Sequence, residues 1–205
     1  KKQLSLTDPS SVWVIANKQS PLSPIDYAPT DLVVPDVNIR ANSSAEEKEL
    51  RKVASQALEK MFEAAKKDGL PLIMASGYRS YSLQTSVYNR YVKTEGQASA
   101  DSQSARPGYS EHQTGLAVDV GGANRVCEIQ DCFANTKESK WIADNAHKFG
   151  YIIRYQKDTR AIVGYIYEPW HLRYVGEALA GELHDQNNPP LETFFDLPAA
   201  PDYKP

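Results

Sequence analysis

One stretch, YSEHQTGLAVDV at residues 109–120, restricts the fold more than any other part of the chain. Polar residues lead up to Gly115, and from Leu116 to Val120 large apolar side chains alternate with Ala117 and Asp119. A period of two marks a strand, and a glycine ahead of it supplies the turn that feeds it. On that strand Leu116, Val118 and Val120 share one face, while Ala117 and Asp119 share the other. A small residue beside an aspartate leaves room for something to sit against the second face. Water is one occupant, with Asp119 on a half-exposed strand. A metal ion is the other, with His112 at the turn and Asp119 on the strand among its ligands.

At 205 residues the chain is long enough for one domain with a sizeable core. Hydrophobic residues at 41% and charged residues at 24% are ordinary globular proportions. A net charge of -3 offers no basic footprint for nucleic acid. No apolar run approaches the roughly 20 residues of a membrane helix. Residue 1 is lysine, so an upstream piece is expected to have been removed, and any membrane attachment would run through such a lost signal or anchor segment. Cys127 and Cys132, in CEIQDC, are spaced to close a small disulfide loop worth about 2 kcal/mol. Free thiols are the alternative, and half of a metal site is disfavoured because no second cysteine pair or nearby histidine completes it. A disulfide would favour an extracytoplasmic location.

Residues 1–42 are rich in proline and turn formers and read as an extended arm laid over the core. Ser44, three before Glu47, signals a helix start, with Leu50, Ala54, Ala57, Leu58, Met61, Phe62 and Ala65 at helical spacing up to Gly69. LPLIMASGY then reads as a buried strand, and a second helix runs from Ser80 to near Gly96. Residues 97–108 are small and polar and read as loop. After the LAVDV strand and a long excursion, SKWIADNAHKFG predicts a helix burying Trp141, Ile142 and Ala146. YIIRY and YIYEPWHLRYV predict strands, and a short helix is expected around residues 176–184. Helices mixed irregularly with strands favour an α+β single domain, residues 43–187, with a small central antiparallel sheet flanked by helices. Residues 188–205 form a proline-rich tail expected on the surface.

The four histidines sort by context. His147 lies near a helix C-terminus, where an imidazole can bond a free carbonyl, and His184 is expected to be a solvated surface residue. His112 and His171 each have a carboxylate and a turn beside them. Glu168 and His171 stand three apart across a proline in an apolar, aromatic run, and burying such charge is costly unless it is paired or metal-bound. Two histidines and a carboxylate are the usual ligand set of a hydrolytic zinc centre, which also needs a carboxylate outside that set as general base. Glu168 is placed for that role. Arg79, after a glycine-tyrosine turn, could reach a cleft at the strand ends and face a carboxylate or an oxyanion, or simply pair with a nearby acid.

Together SGYRSYSLQ, SEHQTGLAVD and YEPWHLRYV resemble the D-alanyl-D-alanine carboxypeptidase VanY family of zinc peptidases. The fuller run GYSEHQTGLAVDV, WIADNAHKFGYIIRY and YEPWHLRYVG is similar to the LdcB-type L,D-carboxypeptidases, over roughly residues 12–185. Ser110, His112, Gly115, Ala117 and Asp119 fill the family's S-x-H-x-x-G-x-A-x-D pattern. The resemblance implies one zinc held by His112, Asp119 and His171, with Glu168 as catalytic base. It also implies Arg79, Gln84 and Ser110 as substrate-side residues, and in the mechanism expected here Arg79 would stabilise the oxyanion beside the zinc. The implied fold is that of lysostaphin-type peptidases and the hedgehog signalling domain. The implied activity, at the envelope of a bacterium, is removal of the terminal D-alanine from peptidoglycan stem tetrapeptides by a monomer. A D,D-carboxypeptidase acting on pentapeptides and a non-catalytic zinc domain that binds wall peptide are the alternatives.

Overall fold

The computed structural model describes residues 4–204, so the first three residues of the arm and the last of the tail lie outside it. The strands are β1 (Leu32–Val33), β2 (Leu50–Arg51), β3 (Leu72–Ser76), β4 (Ala117–Gly122), β5 (Tyr151–Tyr155) and β6 (Glu168–Tyr174). The helices are α1 (Lys52–Lys67), α2 (Tyr81–Glu95), α3 (Gln97–Gln103), α4 (Lys137–Asn145), α5 (Arg160–Val163), α6 (Glu177–Asp185) and α7 (Leu191–Phe194). Four strands form an antiparallel sheet in the order β3-β4-β6-β5. β4 and β6 are therefore central, with backbone groups paired on both sides, and every residue of β4 is buried.

One face of the sheet carries the main core. Ala54, Leu58, Met61 and Ala65 line the inner stripe of α1 and pack in one cluster with Met74, Val118, Val120 and Leu172. This is the α+β domain with a small antiparallel sheet that the sequence pattern favours. A second cluster joins Ile152 of β5 to Leu179 and Leu183 of α6, Leu191 of α7 and Ile15 of the arm.

Several boundaries differ from the sequence reading. The Ser44–Glu47 capping box forms, with Ser44 N–H donating to Glu47 Oε2 at 2.9 Å and Glu47 N–H to Ser44 Oγ at 3.3 Å. It starts only a short 3₁₀ turn, because Leu50 and Arg51 pair with Leu32 and Val33 of the arm and α1 begins after them. Residues 97–103 form a helix where the small, polar sequence predicts a loop, since Ala100 is its one buried residue and no apolar period betrays it. β6 begins at Glu168, not at Tyr165. His184 is not a solvated surface residue: its ring stacks on that of His147, with centroids 3.6 Å apart and planes 8° from parallel. His147 Nδ1 is buried without a hydrogen-bond partner among the described residues, so it does not bond the helix carbonyl expected of it.

The tail also departs from expectation. Leu191, Glu192 and Ala200 are buried rather than laid on the surface. The Arg154 side chain on β5 has no solvent exposure and shares Glu111 with Arg173. Glu192 supplies the second carboxylate that the two buried arginines need, through bonds to Arg154 of 2.6 and 2.9 Å. Asn17 of the arm donates to the same carboxylate at 2.9 Å. Nearby, buried Lys18 donates to the Gly164 carbonyl at 2.6 Å and to the Pro201 carbonyl at 3.1 Å, with its ammonium over Tyr165 and Tyr203. Arm and tail are thus stitched to each other as well as to the sheet.

Gly77, just past β3, has its N–H on the Glu47 carbonyl at 2.7 Å. A Cβ there would press on the Glu49 carbonyl oxygen and come within 3.1 Å of that of Glu47. Backbone cannot swing aside as a side chain can. Gly77→Ala is therefore expected to destabilise the fold by about 1–3 kcal/mol, read as a lower urea midpoint with an unchanged slope.

Candidate metal centre and catalytic cleft

β4 and β6 pair so that Asp119 stands opposite His171, Ala117 opposite Arg173 and Val118 opposite Leu172. Val118 and Leu172 turn into the core, and so the alternation places Asp119 and His171 on the other face. His112 approaches from a 3₁₀ turn, Glu111–Thr114, which ends at Gly115 in the left-handed region at φ 68°. A glycine is needed there for that torsion and because a Cβ would meet Arg51 Cγ at 2.8 Å. One ligand atom from each of His112, Asp119 and His171 lies within 4.8 Å of the others, and all three residues are buried.

Glu168 reaches the same cleft because β6 is irregular. Leu172 faces Ile153 and Glu168 faces Tyr155, so β6 spends four residue steps where β5 spends two. Pro169 falls inside this bulge, where its missing N–H breaks no ladder bond. In a regular strand residues three apart point to opposite faces; here Glu168 Oε2 comes to 3.8 Å from His171 Nδ1.

Tautomers follow from the neighbours. His112 Nδ1 lies 2.6 Å from the Gly77 carbonyl, which can only accept, so Nδ1 carries the proton. His112 Nε2 is then a lone pair, buried and without a hydrogen-bond partner among the described residues, 3.3 Å from Asp119 Oδ2. His171 presents Nδ1 to Asp119 Oδ1 at 3.2 Å and Nε2 to Glu111 Oε2 at 3.3 Å. Tetrahedral bonds of about 2.0–2.1 Å place ligand atoms about 3.3 Å apart. The two histidine–aspartate spacings, the orphaned nitrogen and the N, N, O donor set fit a divalent cation, with the three ligand atoms within 4.8 Å of one another.

Electrostatics reinforce that fit. Burial would raise the Asp119 carboxyl, but the two imidazoles hold it well below the usual carboxylate range. Burial would lower His171, yet its bonds to Asp119 and Glu111 outweigh this and hold it up at about 9. His112 is pushed down, first by burial and then by the Arg79 guanidinium. Burial pushes the Glu168 carboxyl up to about 8.

These groups line a cleft of about 740 Å³ together with Arg79, Gln84 and Ser110. Arg79 Nη2 is 3.8 Å from Asp119 Oδ2, and its Nε is buried and unpartnered among the described residues. Gln84 donates its amide to Ser104 Oγ at 3.2 Å and to the Ala105 carbonyl at 2.7 Å, which leaves Oε1 buried with no donor among the described residues. Ser110 sits at the N-cap of the 3₁₀ turn without spending its hydroxyl on the cap. Cys127 and Cys132 are joined, and their loop forms one wall of the cleft, tied back by Arg40 at 3.6 Å from Glu128.

The structure adds residues that the sequence reading did not single out. Tyr155 packs on His171, with ring centroids 4.8 Å apart. Glu111 stands behind the same ring, itself held by Arg154 and Arg173, each at 2.9 Å. Glu111 carries the only available signal, an acid directly between Ser110 and His112, and it resembles any acidic residue in a first helical turn.

The family profile described as VanY: D-alanyl-D-alanine carboxypeptidase matches residues 47–177, which include every cleft residue named so far except Arg40. The chain belongs to this family. The VanY-family chain is 43% identical over 192 residues to YodJ of Bacillus subtilis (strain 168), a protein named provisionally as a carboxypeptidase, with 94% of this chain and 70% of that one covered. It superposes on the LdcB LD-carboxypeptidase, whose structure is described as revealing the basis of peptidoglycan recognition, with a TM-score of 0.85 at 44% identity. That match covers 92% of this chain and 87% of the other. A variant of the vancomycin-resistance D,D-pentapeptidase VanY, solved in complex with Zn(II), matches at a TM-score of 0.68 and 29% identity, covering 89% and 97%.

Metal affinity in this VanY-family site is expected to depend on pH. A proton must leave His171, held at about 9, before Nδ1 can bind a cation, while Asp119 stays ionised. For one displaced proton the apparent affinity grows about tenfold per pH unit until about pH 9 and then levels off. Chelator-competition titrations across that range read the slope directly; a flat profile would remove His171 from the ligand set.

Proposed function

We propose that this chain is a zinc-dependent L,D-carboxypeptidase that removes the terminal D-alanine from peptidoglycan stem tetrapeptides. It would act outside the cytoplasm, at the bacterial cell envelope, as a monomer with one zinc per chain. The observation that carries the reading is the convergence of His112, Asp119 and His171 beside a carboxylate, Glu168, that belongs to none of the ligand positions.

His112 through Nε2, His171 through Nδ1 and Asp119 through a carboxylate oxygen would hold the ion. Zinc, when bound, acidifies a water towards a pKa of about 7 and polarises the scissile carbonyl. Glu168 takes the proton of the attacking water and hands it to the departing D-alanine nitrogen. Its carboxyl, pushed up by burial to about 8, has a proton affinity near neutrality, and a neighbouring cation draws it down enough to act first as a base. Glu168 makes no hydrogen bond among the described residues, so no protein partner competes with water for its oxygens.

An exopeptidase must recognise the free carboxylate of its substrate. Gln84 is poorly placed for this, because its amide protons are committed to Ser104 and Ala105. Its free Oε1 instead suits a substrate N–H. Arg79 and Ser110 are then the donors left for the carboxylate or the developing oxyanion. The L,D branch is favoured over the D,D branch by the closer match to the LdcB enzyme than to the D,D-pentapeptidase.

Stem tetrapeptide and pentapeptide incubated together with the zinc-loaded protein are expected to give, by mass spectrometry, loss of one D-alanine from the tetrapeptide alone. Trimming of the pentapeptide that stops at tetrapeptide would move the assignment to the D,D branch, and two unchanged peptides would favour a binding domain. In Glu168→Ala, zinc is expected to stay bound while turnover drops at least about 10²- to 10⁴-fold. Loss of metal from that variant would make Glu168 a ligand. His171→Ala is expected to lose metal and activity together.

A further inference from the structure

Behind the candidate metal centre lies a cluster of four charges with no side-chain exposure: Glu111, Arg154, Arg173 and Glu192. Its internal pairing is uneven. Arg154 Nε and Arg173 Nη1 both donate to the same oxygen, Glu111 Oε1, at 2.9 Å. The other oxygen, Oε2, is left facing His171 Nε2 at 3.3 Å. Each arginine is anchored away from Glu111 as well. Arg154 forks onto both oxygens of Glu192, and Arg173 Nη2 donates to the carbonyls of Val12 and Val14 at 2.9 and 2.7 Å. Asn17 donates to Glu192 Oε1 at 2.9 Å.

We propose that Glu111 is a positioning residue of the metal centre, and that the two terminal segments, through Glu192, Asn17 and the Val12 and Val14 carbonyls, hold it in place. The proposal rests on the zinc reading given above. A histidine that binds a cation through Nδ1 must carry its proton on Nε2, and a carboxylate aimed at that N–H fixes both tautomer and ring angle. His112 needs no such residue because the Gly77 carbonyl does the same for it. Packing alone gives a weak reason for the cluster, since four buried charges cost much desolvation and well-packed apolar side chains of like volume would serve a core as well. Val12, Val14, Asn17 and Glu192 all lie outside residues 47–177, the span that matches the family profile, so the support of the site extends past the part that carries its ligands.

The test compares the full chain with Glu111→Gln, Glu111→Asp and Glu192→Gln. Zinc affinity is measured by chelator competition, the ligand set by the visible spectrum of the cobalt(II)-loaded protein, and the fold by circular dichroism and urea midpoint. Glu111→Gln keeps the shape and removes the charge. Glu111→Asp keeps the charge that the arginines need, draws the carboxylate back from Nε2, and answers the question if the glutamine variant does not fold. Both are expected to weaken zinc binding roughly 10- to 100-fold and to alter the cobalt spectrum while folded. A lowered urea midpoint with unchanged zinc affinity and spectrum would assign Glu111 to the fold alone and overturn the proposal. Unchanged zinc affinity in Glu192→Gln would overturn the role given to the terminal segments. Failure of the unsubstituted protein to bind zinc would sink the functional reading itself, a result distinct from either.

Discussion

Asp119 and His171 face each other across the two central strands, 3.2 Å apart and buried. That cross-strand pair is the fixed point of the site. β4 and β6 are the strands least free to move, since each has a neighbour on both sides. A one-residue slip between them would turn Asp119 away from the cleft and into the apolar cluster that holds Val118 and Leu172. The main core therefore guards the register, and the register places two of the three candidate ligands. His112 and Glu168 are added by local departures from regular structure, a left-handed glycine after the first and a proline-bearing bulge after the second.

How much of this could be read from the sequence depends on how local each cause is. The face of Asp119 was legible because strand alternation is a property of five adjacent residues. The closeness of Glu168 and His171 was suggested by two chargeable residues set across a proline in an apolar, aromatic run, but a regular strand would have separated them; the bulge is what brings them together. Glu111 was passed over for a different reason. Its partners stand 43 and 62 positions away in sequence, and nothing within its own turn distinguishes it from a solvated acid. Glu192 misled in the opposite direction: proline-rich, polar surroundings read as surface, while its side chain answers a charge fixed by a distant strand. The start of α1 was misplaced because the arm takes Leu50 and Arg51 into a two-residue ladder that no helical period could reveal.

The cleft joins a rigid floor to a shaped wall. The sheet supplies the floor, and the loop closed by Cys127 and Cys132 supplies one wall, tied back by Arg40 and limited in the conformations it can adopt. Between them, unspent polar atoms are left for a ligand: Gln84 Oε1, Arg79 Nε and His112 Nε2 are all buried without partners among the described residues. Native proteins rarely leave such atoms unsatisfied, and three around one cleft mark where bound groups are meant to complete the bonding.

The joining of arm and tail also has a kinetic side. Asn17 and Glu192 are 175 positions apart, and Lys18 and Pro201 are 183 apart, so these contacts close very long loops. Contacts of that range form late, after the entropy of ordering the intervening chain has been met. During synthesis, Arg154 and Glu111 emerge before Glu192, the second carboxylate of the cluster, which follows Arg154 by 38 positions, so the wall behind His171 stays incomplete until then. The floor of the cleft would thus mature later than the strands that form it, although those strands lie at the centre of the fold.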